Sequence, residues 1–479
     1  MKLVSLQKDI RMFIQQLYTN CLSEAAYYIE SNGDAVVIDP LRDIDAYLLL
    51  AKERNATIKY IFETHFHADF VSGHLELQKA TEASIIYGPN TQTSFPIVQA
   101  KDQQIFILGD ISIKVIHTPG HTLESCCFLL YDEQNQPHAL FTGDTLFVGD
   151  VGRPDLSSGN LDQTTLAGML YESLYKKIIS LPDHIIVYPA HGPGSSCGKN
   201  LGKETYSTLG EQKQFNYALK AKTKEEFIHA VTTGLTDPPA YFPINARINQ
   251  EGYESIDTVF KKALQPLSIK DFKKYMDKEN TLVLDTRTAI QFTQGFIPSS
   301  INIGLEGRFA EWAGSLLPFD AHLLLVAESA KVQESITRLT RVGFSNFLGY
   351  LNGGFDAWLA AEENIDMIID VEAAEVAMDV NYDDNIVLLD VRKEVEYADG
   401  HIKGAFNMPL QTMMDPLKLS AIEDDMNVYI YCGGGYRSVI AASLLKRQGI
   451  HNIRNILGGW GAIKEQKEIS LVKETATSN

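Results

Sequence analysis

The 479-residue chain has few cysteines, no long apolar run and no excess of positive charge. Its five thiols, Cys21, Cys126, Cys127, Cys197 and Cys432, are an odd and sparse set, which excludes a disulfide framework and leaves reduced thiols, some of them reactive. No stretch approaches the ~20 apolar residues of a membrane helix. Charges are scattered through the first twenty residues, where a signal peptide would carry an uninterrupted apolar core. Lys and Arg number 42 against 61 Asp and Glu, a net charge of -19 with no local basic patch, so nucleic acid and anionic membrane surfaces are excluded as partners. These absences predict a cytoplasmic protein that acts on small molecules and is free to form a homo-oligomer. What is present, 45% hydrophobic and 22% charged residues, is ordinary for globular chains, and the length calls for two or three cores.

A repeat occupies the last 200 residues. Leu284 to Arg287 (LDTR) returns as Leu389 to Arg392 (LDVR), Gly295 as Gly400, Asn302 as Asn407, and Gly353-Gly354 as Gly458-Gly459, every pair 105 positions apart. In each copy a helix leads into an apolar strand, and a second strand leads into another helix. This alternation predicts a doubly wound parallel α/β sheet whose site lies at the strand C-terminal ends. The first 200 residues are rich in β runs, with helices expected near Ile44–Arg54, Gly73–Thr81 and Thr164–Ile179. The whole is an α/β multidomain chain, with divisions expected at 1–265 (including a helical extension), 266–365 and 366–479.

Eight of the twelve histidines precede residue 192, and several follow strands directly: His65, His121 and His191, with Asp144 placed likewise. Strand ends deliver side chains to one rim of a sheet, so separate segments converge on one ion. The run THFHADFVSGH, Thr64 to His74, adds His67 and Asp69 at the same turn. A lone histidine is usually a satisfied polar residue; a cluster with three further strand-end ligands predicts a metal site.

This pattern, HxHxD followed by His, Asp and His, resembles the metallo-β-lactamase superfamily, which implies an αββα sandwich with metal at one edge. Dinuclear zinc hydrolases of that superfamily, such as glyoxalase II, carry a histidine directly after the HxHxD aspartate; here that position is Phe70. Phenylalanine cannot ligate, so a mononuclear centre is expected. Two imidazoles and a carboxylate with open positions suit non-haem iron. Phe70, with the segment Asp144 to Asp155, makes the domain resemble the persulfide dioxygenases. That resemblance implies His65, His121 and Asp144 as ligands of one Fe(II) per chain, zinc being the alternative. It leaves His67, Asp69 and His191 to orient ligands or water, or as a vestigial second metal site. Arg153 is a candidate anchor for a substrate carboxylate or, equally, a salt bridge to Asp155. Cys197 is a candidate sulfur carrier near the metal or an incidental loop thiol, and Cys126 and Cys127 read as core.

In the second repeat, Cys432-Gly433-Gly434-Gly435-Tyr436-Arg437 follows one strand and opens a helix. Glycines let the backbone wrap its N–H groups around the sulfur, which stabilises a thiolate or a persulfide, and Arg437 adds positive charge. The loop resembles that of rhodanese sulfurtransferases. Its C-x4-R spacing is the sulfur-transfer spacing, where related phosphatase loops have C-x5-R. Cys432 and Arg437 are the expected catalytic pair, the three glycines and Tyr436 the substrate cradle, and Asp390 and Arg392 structural braces. In the first repeat Cys432 maps to Ala327 and Arg437 to Val332, so that copy is expected to be catalytically dead.

The domain order resembles persulfide dioxygenase–rhodanese fusions. It implies oxidation of a thiol persulfide by O2 to sulfite, with sulfur transfer among persulfide, sulfite and thiosulfate. A glyoxalase II-like hydrolase, a non-enzymatic sulfur carrier and a cysteine phosphatase remain as alternatives.

Overall fold

A computed structural model describes residues 12–156, 161–380, 382, 385–413, 422 and 426–474. Residues 1–11, where the absence of a signal core was read, lie outside them. The chain forms two units: residues up to Ile256 with Thr340–Gly343, and Asp257–Leu339 with Phe344 onward. The division expected at 265 thus falls at Ile256, and nearly all of the helix Ile256–Ala263 belongs to the second unit.

The first unit contains two six-stranded sheets. In the first, β1 (Phe13–Thr19), β2 (Glu24–Ser31), β3 (Asp34–Ile38), β4 (Thr57–Phe62), β5 (Ser84–Tyr87) and β6 (Val98–Gln99) lie side by side in chain order. The second holds β7 (Ile105–Leu108), β8 (Ile111–His117), β9 (Cys126–Tyr131), β10 (Pro137–Gly143), β11 (Ile186–Pro189) and β12 (Ser207–Thr208), again with chain neighbours adjacent. The period-2 alternation of side chains builds the layers. In β2, Ala25, Tyr27 and Ile29 point between the sheets, towards Phe128, Leu130 and Phe141, while Ala26 and Tyr28 face a helix layer that holds Tyr47, Ala51 and Leu77. Cys126 and Cys127 divide in the same way, Cys126 between the sheets and Cys127 against Ala167, Leu170 and Phe227 of the other helix layer. With both faces covered, all eight residues of β2 are buried, each large apolar side chain contributing roughly 1.5–3 kcal/mol. The result is an αββα sandwich.

The second unit contains two five-stranded parallel sheets of identical order. One runs β13 (Pro266–Leu267), β17 (Phe347–Leu351), β16 (His322–Val326), β14 (Thr281–Asp285), β15 (Ile301–Asn302); the other runs β18 (Ile369–Val371), β23 (Ile453–Ile456), β22 (Asn427–Tyr431), β19 (Ile386–Asp390), β21 (Phe406–Asn407). The short strands β20 (His401–Ile402) and β24 (Leu471–Val472) pair separately. The residues that recur along the sequence are the ones that brace each copy. Arg392 grips Asp390 and donates to the Gly400 carbonyl at 2.6 Å, while Asn407 donates to the carbonyls of Asp390 and Arg392. Arg287, Asp285, Gly295 and Asn302 repeat these bonds in the first copy.

Candidate metal centre and sulfur-transfer loop

Turns leaving β4, β8, β10 and β11 carry His65, His121, Asp144 and His191 to one rim of the sandwich. One ligating atom from each of His65, His121 and Asp144 lies within 4.8 Å of the others, and the same holds for His67, Asp69 and His191; all six residues are buried. Asp144 joins the groups. Its Oδ2 is 3.9 Å from His65 Nε2 and 3.4 Å from His121 Nε2, and its Oδ1 is 3.5 Å from His191 Nε2.

Hydrogen bonds on the far side of each ring set the tautomers. Thr64 donates its hydroxyl to Asp39 Oδ2 at 2.9 Å, so its oxygen accepts from His65 Nδ1 at 2.9 Å. His121 Nδ1 faces the Arg153 carbonyl at 2.8 Å, and His191 Nδ1 the Ser23 carbonyl at 3.2 Å. Each ring therefore carries its proton on Nδ1 and presents the Nε2 lone pair to Asp144. Burial, followed by the neighbouring imidazoles, pushes His65 well below the ordinary histidine range and keeps it neutral.

His67 behaves differently. Its Nε2 lies 3.1 Å from Asp39 and 3.5 Å from Glu63; burial opposes its protonation, but these two carboxylates outweigh that and hold it well above the ordinary range. Phe70 is fully buried with its ring 4.3 Å from that of His67. Neither oxygen of Asp144, nor His191 Nε2, nor Asp69 Oδ1 has a hydrogen-bond partner, though all are buried. Orphaned buried charges of this kind are costly, and a divalent cation satisfies them, so the residues fit a metal ion.

Arg153 is the salt bridge and not a free anchor. It is buried, makes a bidentate pair with Asp155 at 2.7 Å, and donates to the carbonyls of Ser196 and Thr236. Cys197 is buried within 4.8 Å of Asp144 and His191, and burial, then the charges of Asp69 and Asp144, push its thiol well up. Sequence reasoning missed Thr64, Asp39 and Asn249. The last, on the helix Phe242–Glu251, donates to the carbonyls of His67 and Phe70 and accepts from Ser72 N, all at 2.8 Å, so it staples the histidine turn.

In the second repeat, Cys432 follows β22 and is buried; Gly435 N donates to its sulfur at 3.1 Å, and Ser438 Oγ lies 3.6 Å away. Gly433 and Gly434 complete the turn. Arg437, expected to face the bound sulfur group, keeps its guanidinium beside Gly433 of the loop and makes a bidentate pair with Glu396 at 2.7 and 2.8 Å, which holds Glu396 below the usual carboxylate range. Tyr436, expected in the substrate cradle, packs its ring against Gly304 and Gly307 of the first repeat and donates to the Gly304 carbonyl at 2.7 Å. Ala327 sits at the corresponding turn of the first repeat, after β16.

The family model for the metallo-β-lactamase superfamily matches residues 19–191, and that for the rhodanese-like domain matches 268–361 and 373–466. A probable hydroxyacylglutathione hydrolase of Schizosaccharomyces pombe is 31% identical over 232 residues, which cover 44% of this chain and 85% of the relative. A metallo-β-lactamase structure from Staphylococcus aureus is 33% identical, with a TM-score of 0.63 over 71% of this chain and 98% of its own. ETHE1 from Myxococcus xanthus is 30% identical, with a TM-score of 0.43 over 50% of this chain and 98% of its own. With its sandwich and histidine rim followed by two braced parallel sheets, the chain belongs to the metallo-β-lactamase superfamily and carries two rhodanese-like domains behind that domain.

Proposed function

We propose that the amino-terminal domain oxidises a low-molecular-weight thiol persulfide, such as glutathione persulfide, with O2 at one Fe(II) held by His65, His121 and Asp144, both oxygen atoms passing to the outer sulfur and one water then cleaving the S–S bond to give sulfite and thiol. The carboxy-terminal domain then moves sulfane sulfur among persulfide, sulfite and thiosulfate through Cys432. The observation that carries this reading is Phe70, buried beside His67 where dinuclear hydrolases place a ligand. Iron bound at the rim supplies redox chemistry and open positions for O2 and sulfur that side chains lack. The chain's own part is to present neutral Nε2 lone pairs, through the Asp39–Thr64–His65 link and the Arg153 carbonyl, and to keep the pocket dry with Phe70 and Phe147, both fully buried. At the second site the Cys432 thiolate attacks the outer sulfur of thiosulfate. The old S–S bond breaks, sulfite leaves with the electron pair, and a Cys432 persulfide remains beside the Gly435 N–H. Attack by a thiolate on that outer sulfur returns Cys432.

A second reading, a dinuclear zinc thioester hydrolase, draws support from the relatives named hydroxyacylglutathione hydrolase. One experiment separates the two: oxygen uptake on adding glutathione persulfide to anaerobically purified protein, with iron and zinc quantified on the same sample. Uptake that scales with iron and yields sulfite is the expected result. Protein with two zinc ions per chain that hydrolyses a glutathione thioester and takes up no oxygen would replace the dioxygenase with the hydrolase.

A further inference from the structure

We infer that Ser438, oriented by Asn455 and Asp370, is a retention device for the sulfur-transfer loop: its hydroxyl is fixed to offer Cys432 a lone pair and no proton, which slows the loss of sulfane sulfur that Cys432 has received. Thr293 Oγ1 donates to Asp370 Oδ2 at 2.6 Å, and Asn455 Nδ2 donates to Asp370 Oδ1 at 2.7 Å. A carboxylate accepts at both oxygens, so the Asn455 amide turns its nitrogen towards Asp370 and its oxygen towards Ser438. Ser438 Oγ donates to that oxygen at 2.7 Å, nearer than its alternative acceptor, the Gly435 carbonyl at 3.0 Å. A hydroxyl has one proton, and here it is directed to Asn455. The lone pairs are left to accept from Cys432 Sγ, 3.6 Å away. Cys432, Ser438 and Asn455 are all buried, so bulk water does not compete for these bonds.

The first repeat is an internal control. The braces Asp390, Arg392 and Asn407 recur there 105 positions earlier, but Asp370, Ser438 and Asn455 are replaced by Gln265, Gln333 and Tyr350, in the copy whose nucleophile is replaced by Ala327. The chain of side chains is present where there is a sulfur to hold and absent where there is none. Two opposed groups then meet at Cys432: the Gly435 N–H donates to the sulfur at 3.1 Å, and Ser438 presents a lone pair to it. When cyanide takes the outer sulfur, its carbon bonds to that sulfur and the S–S bond breaks with its electron pair staying on Cys432. Thiocyanate departs, and the Cys432 thiolate regains a proton from water. A sulfur leaves faster the better its developing charge is met. Ser438 meets none of that charge, so the persulfide persists until an acceptor is in place. The inference rests on the sulfur-transfer reading of Cys432.

The test uses the full-length chain under anaerobic conditions, so that no persulfide is oxidised, with the signal of Cys432→Ser subtracted to remove sulfur taken by other thiols. Cys432 is loaded with thiosulfate labelled in its outer sulfur, and discharge to cyanide is followed in a single turnover. Ser438→Ala, shown by melting to be folded, is expected to load within about twofold of the native chain and to discharge about two- to tenfold faster, the factor that one hydrogen bond carries. Asn455→Leu, which releases the Ser438 proton towards the departing sulfur, is expected to speed discharge in the same way. Damage to the loop would instead slow loading and discharge together. Infrared spectroscopy at mildly acidic pH reads the bond itself: the S–H stretch of Cys432 moves to higher frequency in Ser438→Ala. Unchanged or slower discharge in either folded variant would overturn the inference, as would an S–H stretch that is absent or does not move. Failure of the native chain to take sulfur from thiosulfate onto Cys432 would overturn the sulfur-transfer reading, and the inference with it.

Discussion

Thr64 accepts from His65 and donates to Asp39, so one hydroxyl decides which nitrogen of His65 carries the proton. Thr64→Val keeps the shape and removes both bonds; metal affinity, measured by chelator competition, is expected to fall about 10- to 100-fold. Nothing in the sequence marks Thr64 as more than the neighbour of a histidine, whereas His65, His121 and Asp144 stand out because each follows an apolar strand. Glu396 offers a second test at this scale. Its bidentate pair offsets the charge of Arg437 beside the cysteine loop, so Glu396→Gln is expected to free positive charge towards anionic donors and lower KM for thiosulfate about two- to fivefold, kcat changing little. That range matches the ~0.5–1 kcal/mol of a partly exposed pair. An unchanged KM in a cyanide-coupled assay would mean that Arg437 does not act on the sulfur donor.

Between elements, close approach matters more than hydrogen-bonding partners. A Cβ at Gly459 would stand 2.4 Å from the Cys432 carbonyl oxygen, and one at Gly354 2.7 Å from that of Ala327, both residues having positive φ. The Gly-Gly pair repeated at an offset of 105 thus lets a helix start pack against the strand-end turn in both copies. Gly459→Ala is expected to displace the cysteine loop and cut sulfur transfer at least about a hundredfold, since a misplacement near 1 Å costs that much; a thiosulfate:cyanide assay on folded protein reads it. The helix Phe242–Glu251 makes a comparable contribution to the metal rim. Asn249→Ala leaves buried carbonyls of His67 and Phe70 and the Ser72 N–H unpaired, and should cost about 2–4 kcal/mol in denaturant unfolding, with loss of bound metal. The sequence showed this segment only as a helical extension. β1 and β2 also escaped the sequence reading, because both faces of β2 are buried and its Glu24, Tyr27, Tyr28 and Glu30 blur the alternation that marks a half-buried strand.

For the molecule as a whole, the two chemistries use separate residues. Asp144→Ala is expected to abolish metal binding and oxygen uptake while thiosulfate cleavage stays within about twofold. Cys432→Ser should do the reverse, since the thiol is the only group there able to carry the sulfane sulfur. Loss of both activities in either variant, measured on folded protein, would mean the reactions are coupled. Residue order alone settled the three-domain composition, the strand-end histidines and the missing nucleophile of the first repeat. Each of these is a local pattern, written in a period of two, in a motif of a few residues or in a constant offset. The packed chain settled the tautomers, the engagement of Arg153 and Arg437, the docking of Tyr436 on the first repeat and the nearness of Cys197 to Asp144. Most of these are contacts between residues tens to over a hundred positions apart, and such distances exist only once both faces of each sheet are covered.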